Sequence, residues 1–174
     1  MNPAHLHLIT SHVPVMGSIF GLCLLLFALL RKSEELKRVA LLAFVVVALL
    51  ALPAYLSGEP ASNLLKRLMP GLTADAGDQH AEIAVLALAG LLALGVVSLV
   101  GLILFRKGRN LPAGFIVFVL LLALVACGLV GWTANLGGKI RHNEIRLQSS
   151  AEPARDVAIT VQMRASPVWP GVAC

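Results

Sequence analysis

The sequence predicts an all-α fold: a four-transmembrane-helix bundle of up-down-up-down topology with a short extramembrane C-terminal tail. Three observations carry it. The 174-residue chain is 58% apolar and only 13% charged, and its charges fall in short stretches between long uncharged runs. The runs show Leu, Val, Ala and Gly on every side, whereas a soluble helix would keep a polar stripe. Short, strongly basic turns separate the first run from the second and the third from the fourth. A membrane domain therefore accounts for residues 1–142, with spans over about 12–30, 39–57, 82–105 and 111–136, each near the ~20 apolar residues a bilayer requires. Residues 143–174 form the tail.

The first span starts near His12, with Ser11 as a cap and Pro14 in the first turn, where a missing N–H costs little. No basic segment precedes it and Arg31-Lys32 follow it, so it reads as a retained span rather than a cleaved signal. Pro53 lies late in the second span and should bend or end it before Gly58-Glu59-Pro60. Residues 57–82 read as a long loop. The third span is rich in small residues (Ala89, Gly90, Ala93, Gly95), and the fourth adds Ala126, Gly128 and Gly131. Small residues let helices approach closely in lipid. Pro112 suits the first turn of the fourth span. In the tail, residues 157–163 alternate like a strand until Pro167 and Pro170 break the pattern.

Basic density in short loops sets topology. The two short turns hold seven basic residues, among them Arg31, Lys32, Arg106 and Lys107. They should face the cytoplasm, which places both termini and the 57–82 segment outside, in the periplasm of a bacterium with the protein in its inner membrane. The formal charge of +5 is no nucleic-acid signature, because the basic residues cluster at helix ends. Cys23 and Cys127 lie mid-span and Cys174 is terminal. Without a C-x-x-C-H motif, covalent haem attachment is not expected.

All five histidines fall at the outer end. His5, His7 and His12 precede or open the first span, His80 opens the third and His142 follows the fourth. Much of the non-membrane chain lies on that side, so the side alone is a weak signal. Depth is the stronger one: His12, His80 and His142 lie close to the outer ends of three different helices. A bundle brings such positions together, and cofactor sites are built between facing helices. Imidazole is the commonest metal ligand and an axial ligand of haem iron. His7, His12, His80 and His142 are thus candidate axial ligands of one or two b-type haems, or ligands of a bound metal ion. An apolar helical cleft suits a haem. Zinc held by imidazoles alone is the metal alternative. Arg141 has the planar fork that pairs with a haem propionate. Glu59 and Glu82 share this face and could orient an imidazole. Trp132, Thr133 and Asn135 read as interfacial belt and helix packing.

The inner half of the bundle has no histidine, so a redox centre belongs at the outer face. There it could exchange electrons with quinol or a periplasmic carrier. No phosphate-binding Gly-rich loop, catalytic Ser-His-Asp order or intramembrane carboxylate pair occurs, and the uncharged spans argue against an ion-coupled pump.

The segment His7-Leu8-Ile9-Thr10-Ser11-His12-Val13-Pro14 resembles the H-P-x-x-x-H-F-P opening of a family of small four-helix bacterial membrane proteins of unknown function. That family also has a histidine near the start of its third helix, as at His80, and ends its fourth with a Gly-Gly pair and a nearby histidine, similar to Gly137-Gly138 and His142. The resemblance spans most of residues 5–142. It departs at Leu8, at Val13 and in the shorter spacing from Gly-Gly to histidine. Members resemble b-type cytochromes, some linked to Rieske or cytochrome partners, which implies haem and electron transfer here. An electron-transfer or accessory role is therefore expected rather than that of a stand-alone enzyme. The alternatives are a cofactor-free accessory subunit packed on a larger respiratory or photosynthetic complex, or a histidine-based metal-binding membrane protein.

Overall fold

The structure, a computed structural model, describes residues 3–68, 74–105 and 110–141. It is all-helical there, with α1 (Pro3–Leu30), α2 (Glu34–Leu56), α3 (Gly58–Leu68), α4 (Ala74–Leu104) and α5 (Ala113–Arg141). The strand expected at 157–163 lies outside the described residues. Helices α1, α2, α4 and α5 are each long and apolar enough to cross a bilayer, so the chain is a multi-pass membrane protein. Their outward faces agree: Phe20, Phe27, Leu49, Val96, Leu121 and Val125 are all exposed, a surface that lipid covers and water would not.

Pairwise packing runs around the bundle. Helix α1 lies on α2, where a Cβ on Gly21 would stand 2.6 Å from the Phe44 ring. Helix α2 lies on α4, and the missing Cβ of Gly95 is what lets Ala48 approach. Helix α4 lies on α5 through Gly90, opposite Ala126 and Leu129. Ser18 of α1, fully buried, donates its hydroxyl to the Val15 carbonyl within its own helix. In lipid no hydrophobic force separates helix from solvent, so such close approach by small residues supplies the van der Waals attraction instead. The core fills with Leu25, Leu41, Phe44, Leu94, Ile116 and Val119, all essentially buried.

The turns follow from local chemistry. After α1, the Ser33 N–H bonds the Ala28 carbonyl (3.1 Å) and the Lys32 N–H that of Leu29 (3.2 Å). This is a Schellman closure with Lys32 at the left-handed position, φ 51°. Ser33 then caps α2, its Oγ accepting the Leu36 N–H at 3.3 Å. Helix α2 ends three residues after Pro53, as the sequence predicts.

Three expectations are corrected. Helix α1 begins at Pro3, well before His12. Ser11 is not its cap, since its hydroxyl donates to the Leu8 carbonyl, and Pro14 sits inside the helix. A single proline is tolerated there because neighbouring helices support the interrupted ladder. The 57–82 segment is no long loop: the short amphipathic helix α3 occupies its first part, and α4 starts at Ala74. Pro60 falls in the first turn of α3, where proline fits. Finally, Pro112 immediately precedes α5, its carbonyl accepting the Ile116 N–H.

Candidate functional site

The histidine end is built from the starts of α1 and α4 and the ends of α2 and α5. The His7 Nδ1 lies 3.1 Å from the Ala54 carbonyl and 3.0 Å from the Ser57 Oγ, both at the end of α2. The Ser57 hydroxyl itself donates to the Ala54 carbonyl (2.8 Å) and lies 3.2 Å from Thr10 Oγ1. The His80 Nδ1 lies 3.1 Å from the Thr133 carbonyl of α5. The Thr133 hydroxyl is turned away, donating to Leu129 within its own helix. The His12 Nδ1 reaches the Leu8 carbonyl at 2.6 Å, one turn back on α1.

A carbonyl oxygen can only accept, so in all three rings Nδ1 carries the proton. The neutral tautomer then leaves a lone pair on Nε2, for which no partner occurs among the described residues. A metal-ligating histidine is commonly oriented this way, one ring N–H held by a backbone carbonyl and the other nitrogen presented as a donor.

A glycine borders two of these contacts. A Cβ on Gly58 would stand 3.4 Å from His7 Cε1, an ordinary contact, and one on Gly137 would stand 3.3 Å from His80 Cε1, slightly tight. In each case the glycine lies four residues beyond the carbonyl that the ring bonds.

The rings differ in setting. His7 and His80 are partly buried. His12 is exposed. It lies five residues beyond His7, which places it about 140° around the helix. The side chain of His5 is not described, Arg141 ends α5 with its side chain not described, and His142 lies outside the described residues. Among the described residues no group of three or more His, Cys, Asp or Glu is placed to hold an ion. Glu59 and Glu82 are exposed, and the Nδ1 partners of the three imidazoles are carbonyls and Ser57 rather than either carboxylate. Trp132 and Asn135 are exposed on α5.

Sequence reasoning missed the acceptors. Any residue supplies a carbonyl, so Ala54 and Thr133 carry no signature. Gly58, which opens α3 just after α2, and Gly137, near the end of α5, were the available signal. Compared with known proteins, the chain matches no family model, no curated protein and no solved structure.

Proposed function

We propose that the protein is a b-type haem protein of a bacterial inner membrane, carrying electrons at the periplasmic face between quinol and a partner redox protein or membrane complex. The observation that carries this reading is the donor chemistry of the histidine end. Each described imidazole gives its Nδ1–H to a backbone carbonyl and keeps Nε2 available, which is the state an axial ligand needs. The apolar character of the four long helices suits a macrocycle, and the resemblance of the His7–Pro14 segment to a cytochrome-like family points the same way.

Haem would supply a one-electron centre whose potential depends on its axial ligands and surroundings. The chain's own residues would hold and orient it: His7 and His80 from α1 and α4, with His12, His142 and Arg141 as the further candidates that the sequence offers. The orientation rests on the basic turns Arg31-Lys32 and Arg106-Lys107, which favour the cytoplasmic side and leave both termini periplasmic.

A reduced-minus-oxidised spectrum and a pyridine haemochrome assay on the purified full-length protein test the reading. A b-type spectrum, diminished in His7→Ala or His80→Ala, is the expected result. A featureless spectrum from folded protein purified from haem-replete cells would reject it and leave the accessory-subunit reading in its place.

A further inference from the structure

The burial pattern of α1 recurs in α4. The buried positions Pro14, Ser18, Gly21, Leu25 and Ala28 are matched step for step by Ala87, Leu91, Leu94, Ser98 and Gly101. The same offset carries His7 onto His80 and Gly17 onto Gly90. A second constant offset relates the returning helices: buried Ala40, Phe44, Val47 and Ala51 of α2 fall on buried Val119, Ala123, Ala126 and Val130 of α5. That offset also carries Ala54 onto Thr133 and Gly58 onto Gly137. The two histidine contacts are therefore one construction made twice, with ring, carbonyl and glycine at equivalent places in two helical hairpins.

The packing has the same symmetry. Exchanging α1 with α4 and α2 with α5 carries the approach of Gly17 to Val47 onto that of Gly90 to Ala126. Both hairpins start at the histidine end, so the exchange is a two-fold rotation about the long axis of the bundle. A residue near that axis meets its own counterpart across it, and His7 lies at seven-residue steps from buried Pro14, Gly21 and Ala28 just as His80 does from buried Ala87, Leu94 and Gly101, which puts both rings on the inward stripe. His12 has no such counterpart: the same offset carries it onto Val85.

We propose that His7 and His80 act as a matched pair, presenting two equivalent Nε2 donors to one metal centre on the pseudo-two-fold axis, with His12 outside it. The haem reading above identifies that centre as haem iron; the pair itself requires only a metal that accepts two imidazoles, which iron and copper both do.

The test uses the full-length protein in lipid nanodiscs, loaded with haem and compared by ferric electron paramagnetic resonance. Wild type should be low-spin and six-coordinate. His7→Ala and His80→Ala should each become high-spin to the same extent and recover on adding imidazole, while His12→Ala should match wild type. Loss of a ligand in His12→Ala, or a low-spin signal persisting in either partner variant, would overturn the pair. If an alanine variant does not fold, His7→Met and His80→Met decide. Each keeps a donor of similar bulk and should stay six-coordinate with an altered spectrum, and an unaltered spectrum would overturn the pair. If wild type takes up no haem, the same proteins are titrated with Cu(I). One ion per chain, lost in both partner variants and kept in His12→Ala, would preserve the pair while removing the haem reading. No bound ion, or binding indifferent to His7 and His80, would overturn the pair as well.

Discussion

The two hairpins, α1–α2 and α4–α5, share a burial ladder and a histidine contact but differ in how they turn and in how tightly they meet each other. The first turns in a few residues, closed by its own backbone and by Ser33. The second takes a longer path, and its ends are fastened to the first hairpin: Glu34 Oε2 accepts the Leu111 N–H at 2.9 Å, and the Arg38 guanidinium donates to the Phe105 carbonyl. The seams differ too. Gly95 meets Ala48 between α4 and α2, whereas the matched positions of α1 and α5 hold the larger Leu22 and Cys127. The histidine end keeps the two-fold likeness, and the turn end and the seams depart from it. Spacing of buried positions thus outlasts the identity of the residues that fill them.

The largest expected effect breaks the seam comparison. Gly95→Ala places a methyl against the Ala48 methyl, where backbone and not a flexible chain must yield. A loss of about 3 kcal/mol is expected, against about 1–2 kcal/mol for Leu22→Ala in the looser seam, where a partly buried side chain is trimmed. Unfolding equilibria in mixed micelles compare the two, and equal losses would erase the distinction.

Next comes the fastening of the second turn. Glu34→Ala removes the acceptor of the buried Leu111 N–H and should cost about 2 kcal/mol. The accompanying Lys37 pair (2.6 Å) adds little, since such surface pairs are weak. Lys37→Ala should therefore change the same unfolding midpoint far less than Glu34→Ala, and the reverse order would reject the assignment. Ser33→Ala, in the first turn, should cost about 1 kcal/mol through the lost cap, readable in the same assay.

The smallest changes sharpen the comparison by improving one half. The Ser98 hydroxyl is fully buried and has no partner among the described residues; its equivalent in α1 is Leu25. Ser98→Ala should be neutral or stabilising by up to about 1 kcal/mol, and a marked loss would show that the hydroxyl has a partner. Lys32→Gly should relieve the left-handed backbone by about 1 kcal/mol while removing one of the basic residues on which the proposed orientation rests. A topology reporter at the C-terminus should show a minority of inverted molecules.

The spans, their number and the order of turns were legible because hydropathy and charge report directly on the bilayer. Helix ends were less so. The first turns of α1 and α4 carry polar residues such as His5, Thr10, Asp75 and Gln79, which extend a helix without extending its apolar run. Helix α3 hid behind Gly58 and Pro60, which mark a loop as readily as a helix start. The candidate site was legible as a set of imidazoles at one depth. Its acceptors were not, being backbone, and its symmetry was hidden because matched core positions hold different residues, Phe44 with Ala123 and Leu25 with Ser98. Only an accessibility pattern along folded helices exposes that match.

The uneven turns have a consequence for how the chain is made. The first hairpin closes with bonds among residues synthesised within moments of one another, so it can enter the membrane and settle alone. The second has both described ends of its turn, Phe105 and Leu111, bonded to Arg38 and Glu34, which left the ribosome much earlier. Biogenesis then has a direction: the older hairpin serves as the template, and the younger one is completed by docking onto it.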